Sequence, residues 1–143
     1  MGASEELRDV EGSSTLRMKL ARDRQAPSLA RSAVAGFLRR SQLGPTGLST
    51  LALLVSELVS NAVLHSDAPP ASVIALRAQL LDDSAVRVEV IDEGSGFTFT
   101  PRDPSRLDGG YGLFLVDTQA TSWGVDRKDG TRVWFEIREM RAS

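Results

Sequence analysis

The chain has 143 residues, 41% hydrophobic and 25% charged, and its 17 Lys and Arg against 19 Asp and Glu leave a net charge of −2. That balance describes one globular domain able to bury roughly 70% of its unfolded surface, without the basic field that nucleic acid or an anionic membrane would require. The absence of cysteine excludes disulfides, thiolate metal sites and cysteine nucleophiles, and a single histidine, His65, excludes a zinc site built from several imidazoles.

Residues 1–13 carry Glu5, Glu6, Asp9 and Glu11 and no apolar period, so they are expected as a flexible acidic tail ahead of one domain over 14–143. They also lack the apolar run of a signal peptide. Residues 14–21 alternate Leu16, Met18 and Leu20 with Arg17 and Lys19, which predicts a half-buried strand. After Pro27, the spacing of Leu29, Ala33, Gly36 and Phe37 predicts a helix with Arg39 and Arg40 in its last turn. A second helix is expected from near Leu48 to about His65. The longest nearly uncharged stretch, 43–56, is too short and too polar to span a bilayer, and a soluble cytoplasmic domain is expected. Strands follow over 71–81 and 85–92, joined by a hairpin at 82–84. Residues 93–110 form a polar, Gly- and Pro-bearing loop of the length that signals function. A short helix over 113–120 and a closing hairpin, 122–126 with 131–138, complete the chain. This order predicts a two-layer α/β sandwich, with helices on one face of a mixed, mostly antiparallel sheet.

Four features carry chemistry. On the second helix, Leu48, Leu51, Ala52, Val55, Leu58, Val59, Ala62 and Val63 share the side away from Glu57. The other side holds Thr50, Glu57, Ser60 and Asn61 among Leu53, Leu54 and Leu64, and reads either as a polar patch lining a cleft or as a surface Glu and a helix-terminal Asn. In the strand VRVEVID, Asp92 shares parity with Val86, Val88 and Val90, so its carboxylate should face the core and needs a donor, whether a ligand amino group or a turn amide. Gly94 and Gly96 follow it and leave room for a flat ligand. Gly109, Gly110 and Gly112 precede a helix, as in a phosphate cradle or a plain helix start. Thr131 shares parity with Val133, Phe135 and Ile137, which puts its hydroxyl in the buried layer of Asp92. Neither a P-loop nor a G-x-G-x-x-G fingerprint is present.

The order E-x-x-x-N on a helix, strand-D-x-G-x-G, loop, G-x-G opening a helix and a late G-T strand resembles the ATP-binding domain of the GHKL group. Its wording, ELVSNAVLHS, DEGSGF, GGYGLFLV and WGV…GTRVWFEI, is similar to the small bacterial branch of anti-sigma-factor serine/threonine kinases, over about residues 14–138. The resemblance implies a Bergerat-type ATP-binding fold with ATP and Mg2+ as cofactors. It implies Glu57 as the general base, Asn61 as the Mg2+ ligand, and Asp92 as acceptor for the adenine amino group with Thr131 in support. It further implies that Gly94 and Gly96 admit the ring and that Gly110 and Gly112 offer amides to the phosphates. The segment 97–109 would be a lid, with Arg102 or Arg106 meeting the terminal phosphate. His65 reads as a helix-terminal histidine rather than a phosphoacceptor, since a sensor kinase would need a further dimerisation helix pair.

Two functional classes follow from the resemblance. One is a kinase that holds a sigma factor or similar client and phosphorylates a serine of a small STAS-type antagonist protein. The other is a module that binds ATP without chemistry and regulates a partner. Glu57 favours the first, because a pure binder needs no base beside the metal ligand. A homodimer through the edge of the first strand is a further expectation by analogy.

Overall fold

The computed structural model describes residues 4–8, 15–82, 84–94 and 116–138. Its strands are β1 (Ser4–Arg8), β2 (Thr15–Ala21), β3 (Val73–Asp82), β4 (Ala85–Asp92), β5 (Ser122–Asp126) and β6 (Thr131–Arg138). Its helices are α1 (Ala26–Phe37), followed by a 3-10 turn at Leu38–Arg40, and α2 (Pro45–His65), with a further helical turn at 116–119.

The strands form one sheet in the order β1-β2-β3-β4-β6-β5. Every pairing among the described residues is antiparallel, where a mixed sheet was expected. The reason is the position of β5. It runs in the same direction as β4 but lies outside β6, so the two never become neighbours and no parallel ladder forms. Alternation works as anticipated: Leu16, Met18, Leu20, Ile74, Leu76, Ala78, Val86, Val88, Val90, Val133, Phe135 and Ile137 are all buried on the face that carries the helices.

The first segment corrects an expectation. Ser4–Arg8, placed in a flexible tail, is β1 and pairs along β2 with Glu5 opposite Lys19. Main-chain hydrogen bonding to an open strand edge needs no apolar period, and hydropathy gave no sign of it. The edge of β2 that analogy offered to a second copy is therefore covered by β1.

α2 begins at Pro45, whose fixed φ and missing N–H suit the first helical position, and Gly44 precedes it as the cap. Leu54, expected on the polar side, is fully buried, while Leu53 and Leu64 are exposed. The buried arc is wider than the sheet alone demands because α2 also packs against α1. From Pro45 to Leu64 this helix is long and apolar enough to cross a bilayer by length and composition, further than the 43–56 stretch suggested, since Glu57 is its lone charged residue. In the fold its apolar arc belongs to the core. Arg39 and Arg40 leave the helix they were assigned to and lie in the 3-10 turn, which Ser41 closes by donating its hydroxyl to the Leu38 carbonyl at 2.7 Å.

Among the described residues Phe135 is the largest fully buried side chain, on β6 between β4 and the edge strand β5. Phe135→Ala should lower unfolding stability by about 3–5 kcal/mol in urea titration, whereas Leu53→Ala on the exposed side should change it by no more than about 0.5 kcal/mol.

Candidate functional site

Antiparallel alternation decides which residues meet at one end of the sheet. β2 and β4 flank β3 and run the same way, so both finish where β3 and β6 begin. The register shows it: Ala21 faces Val73, Ala75 faces Ile91, and Asp92 faces Thr131. The residues just beyond these positions, Arg22 and Ser72, therefore gather with Asp92 and Thr131. The last turns of α2, with Asn61 and Ala62, lie over the same end.

Asp92 is buried, as its parity required, and its donor is an arginine rather than a turn amide. Arg22 donates through Nη2 to Asp92 Oδ1 at 2.5 Å. The same guanidinium donates to the Ala62 carbonyl at 2.6 Å and to Ser72 Oγ at 3.0 Å. Ser72 in turn donates its hydroxyl to the Pro69 carbonyl at 2.6 Å, which leaves its lone pairs for Arg22. The second carboxylate oxygen, Oδ2, is buried with no partner among the described residues, and so is the Asn61 side-chain nitrogen. Asp92, Asn61 and Thr131 line one small cavity, walled otherwise by Leu58, Ala62, Val90 and Val133. Arg22 is not part of its lining.

Two glycines hold this end tightly. Thr131 donates its hydroxyl to the Gly94 carbonyl at 3.0 Å. A Cβ on Gly94 would meet Ser66 Oγ, Asp67 Oδ1 at 2.6 Å and the Ala68 backbone nitrogen at 2.9 Å, so the backbone after Asp92 packs directly on the segment leaving α2. Gly130 has φ +101, and a Cβ there would come within 2.5 Å of the Asp92 carbonyl oxygen.

Of the residues singled out from the sequence, Asn61, Asp92 and Thr131 are brought together and Gly94 adjoins them. Glu57 is half-buried, one helical turn before Asn61. Gly96, Arg102, Arg106, Gly110, Gly112 and the 97–109 segment lie outside the described residues, as does residue 109 of the glycine run. The polar side of α2 resolves into two parts: Asn61 is buried against the sheet end, and the expected leucine surround is incomplete because Leu53 and Leu64 face outward. Sequence reading missed Arg22 and Ser72, and it took Gly130 only as the turn residue ahead of Thr131, not as a close approach to Asp92. The one available signal was the demand of an inward Asp92 for a donor, and it did not say which of the chain's basic residues would supply it. Among the described residues no group of three or more His, Asp or Glu side chains is placed to hold a metal ion.

A family model, the histidine kinase-like ATPase domain, matches residues 20–137. An anti-sigma F factor of Caldanaerobacter subterraneus subsp. tengcongensis is 35% identical over 131 residues, covering 85% of this chain and 90% of that protein. Another, from Heyndrickxia coagulans, is 39% identical over 72 residues, 48% of each chain. In fold the chain is similar to the RsbU and RsbW domains of a Mycobacterium tuberculosis protein, with a TM-score of 0.68 at 22% identity over 87% of this chain and 32% of that one. The histidine kinase domain of a blue-light activated kinase from Erythrobacter litoralis gives 0.53 at 25% identity, over 79% of this chain and 59% of that one.

The contact at Gly94 yields a direct test. Gly94→Ala pushes a methyl into the Ala68 backbone, which cannot rotate away as a side chain can. It should destabilise the protein by about 1–3 kcal/mol in thermal or urea unfolding, in line with overpacked sites generally. Unchanged stability would mean that the 66–68 segment moves aside freely.

Proposed function

We propose, from the premise that this chain belongs to the histidine kinase-like ATPase family, that it is an ATP-dependent protein serine/threonine kinase of the anti-sigma type. Family membership carries ATP binding with it. The observation that most supports a base-recognising role for this end of the sheet is Asp92 Oδ2, a buried acceptor with no partner among the described residues, in a cavity shared with Asn61 and Thr131. A buried acceptor left open is costly, and the amino group of adenine is a donor of the right kind to satisfy it.

In this reading Asp92 accepts from the adenine amino group and Thr131 holds the Gly94 carbonyl so that the turn keeps its shape. Asn61 fits Mg2+ by donor chemistry, since an amide oxygen suits a hard cation, and among the described residues its amide has no partner on the nitrogen side that would fix it elsewhere. Bound Mg2+ would neutralise charge on the phosphates. Glu57 would take the proton from the acceptor serine as its oxygen bonds to the γ-phosphorus and the bond to ADP breaks. Outside the described residues, Gly96, Gly110 and Gly112 would meet ring and phosphates, with Arg106 or Arg102 at the terminal phosphate. The serine belongs to a STAS-type antagonist, and a sigma factor or similar client is the partner held, in the cytoplasm where ATP and both proteins are present. The anti-sigma F relatives support the choice of a sigma factor as client.

Two substitutions test the reading. Glu57→Gln should keep ATP affinity and client binding while phosphotransfer to the antagonist, followed by intact-protein mass, falls about 10²–10⁴-fold. Undiminished transfer would remove Glu57 from the mechanism, and no transfer by the unmodified chain to any candidate antagonist would leave an ATP-dependent binding module. Asp92→Asn should weaken ATP binding by about 1–3 kcal/mol in calorimetric titration. It should also cost stability without nucleotide, because Arg22 loses its only carboxylate among the described residues.

A further inference from the structure

An acceptor that reads one amino group must be aimed, and a carboxylate on the last residue of a strand can rotate about its own side chain. In this protein something holds it. Arg22 lies past the end of β2 and reaches across the start of β3 to β4, a span of roughly 9–10 Å between strand axes. Its fork meets three groups at once: Asp92 Oδ1, Ser72 Oγ and the Ala62 carbonyl. The guanidinium side chain is only 7% exposed, and the Asp92 side chain 5%. One oxygen of Asp92 is thereby fixed, and the other is left without a partner among the described residues, beside a cavity that Arg22 does not line. The Ala62 contact adds a second constraint. It ties the carboxylate to the helix residue next to Asn61, so the same arginine sets where α2 sits relative to Asp92.

We propose that Arg22 is the positioning residue that aims Asp92 at the amino group of the base and so gives the site its preference for a 6-amino purine. The proposal rests on the reading of Asp92 as the adenine acceptor. Arg22 touches no nucleotide in it. A lysine could reach Asp92 as a point charge but could not hold the carboxylate, the hydroxyl and the carbonyl together in one plane. Two other roles for Arg22 make different forecasts. A fold staple would strengthen all nucleotides equally, and a plug that must leave before the base enters would weaken them.

The experiment compares two probes, ATP and purine riboside 5′-triphosphate, which has hydrogen in place of the amino group, each titrated with Mg2+ into the full chain. The unmodified protein should bind ATP roughly ten- to hundredfold more tightly, the worth of one hydrogen bond to a buried charged group. In Arg22→Ala the two affinities should come within about threefold of each other, with ATP suffering nearly all of the loss. Arg22→Lys should give an intermediate ratio, and Ser72→Ala a smaller shift in the same direction. If Arg22→Ala binds both probes more weakly by the same factor, or binds ATP more tightly, the positioning role is wrong. Should Arg22→Ala lose its circular-dichroism spectrum, Arg22→Lys decides, and an unmodified ratio in it overturns the proposal. An unmodified protein that does not distinguish the probes takes down the adenine reading of Asp92 itself, and the Arg22 role with it. Retained discrimination in a folded Arg22→Ala takes down the Arg22 role alone.

Discussion

A carboxylate on the core face of a sheet has to be kept there against the several kcal/mol that its desolvation costs, and the site end of this protein is arranged around that demand. Asp92 follows Val86, Val88 and Val90 on one face of β4, so the strand's own pleat drives it inward. Arg22 answers it, and to do so ties together the ends of β2 and β4, the start of β3 and the last turns of α2. Replacing a buried ion pair by apolar residues is often neutral for stability, so the pair is better understood through the geometry it enforces than through the free energy it adds. The neighbouring glycines act in the same sense. Gly94 and Gly130 let backbone approach where any Cβ would intrude, and both contacts bear on the residue that carries the carboxylate or the one two places after it.

The opposite face of the sheet holds a second buried acid, and the contrast is informative. Glu89, also in β4, is only 4% exposed. It is met by Arg87 at 2.9 Å, Arg132 at 3.6 Å and Arg77 at 3.9 Å. Arg87 also donates to Glu136 and stacks over the Trp134 ring, 4.1 Å from its centroid. Burial works against the charge on Arg87, but its hydrogen bonds to Glu89 and Glu136, with their negative charge, outweigh it and hold its proton affinity above the ordinary arginine value. Among the described residues, every partner of Glu89 comes from the sheet itself, and neither of its oxygens is buried without a partner. That is what a carboxylate looks like when its role is to hold strands in register. Among the described residues, Asp92 has one arginine and one oxygen left open beside a cavity. Within a single strand, Glu89 thus has the surroundings of a structural acid, and Asp92 has those that the proposed recognition role requires.

The helix-bearing face was legible from alternation alone, because a period of two leaves no freedom about which side chains are buried once one face is apolar. The closing hairpin was placed residue for residue, because Asp129-Gly130 is turn sequence between two strand-like segments, and in the structure both residues take positive φ. Asp92 and Thr131 were assigned to one buried layer, and the register makes them direct partners. What could not be read depended on distance along the chain. Arg22 and Asp92 are 70 positions apart, and nothing local to ARDRQ distinguishes the arginine that folds inward from Arg24 two places on, which stays exposed. β1 was hidden for a related reason: its pairing is main-chain, and its sequence follows no apolar rule. Leu54 misled because a single helical wheel cannot know that a second helix covers its flank.

The placement of Glu57 and Asn61 bears on whether the chain does chemistry or only binds. Both lie on α2, four residues and therefore about 6 Å apart along the axis. Asn61 is 6% exposed at the closed end beside Asp92, while Glu57 is half-buried, further from the base end. A module that merely held ATP would be served by the inner pair, Asp92 for the base and Asn61 for the cation. A carboxylate one turn outward adds nothing to either contact. Burial deepens from Glu57 to Asn61 along α2 and stays deep at Asp92 on the end of β4, which is the order in which the proposed proton acceptor, metal ligand and base acceptor would be needed. That ordering favours phosphoryl transfer to a second protein over ATP binding alone.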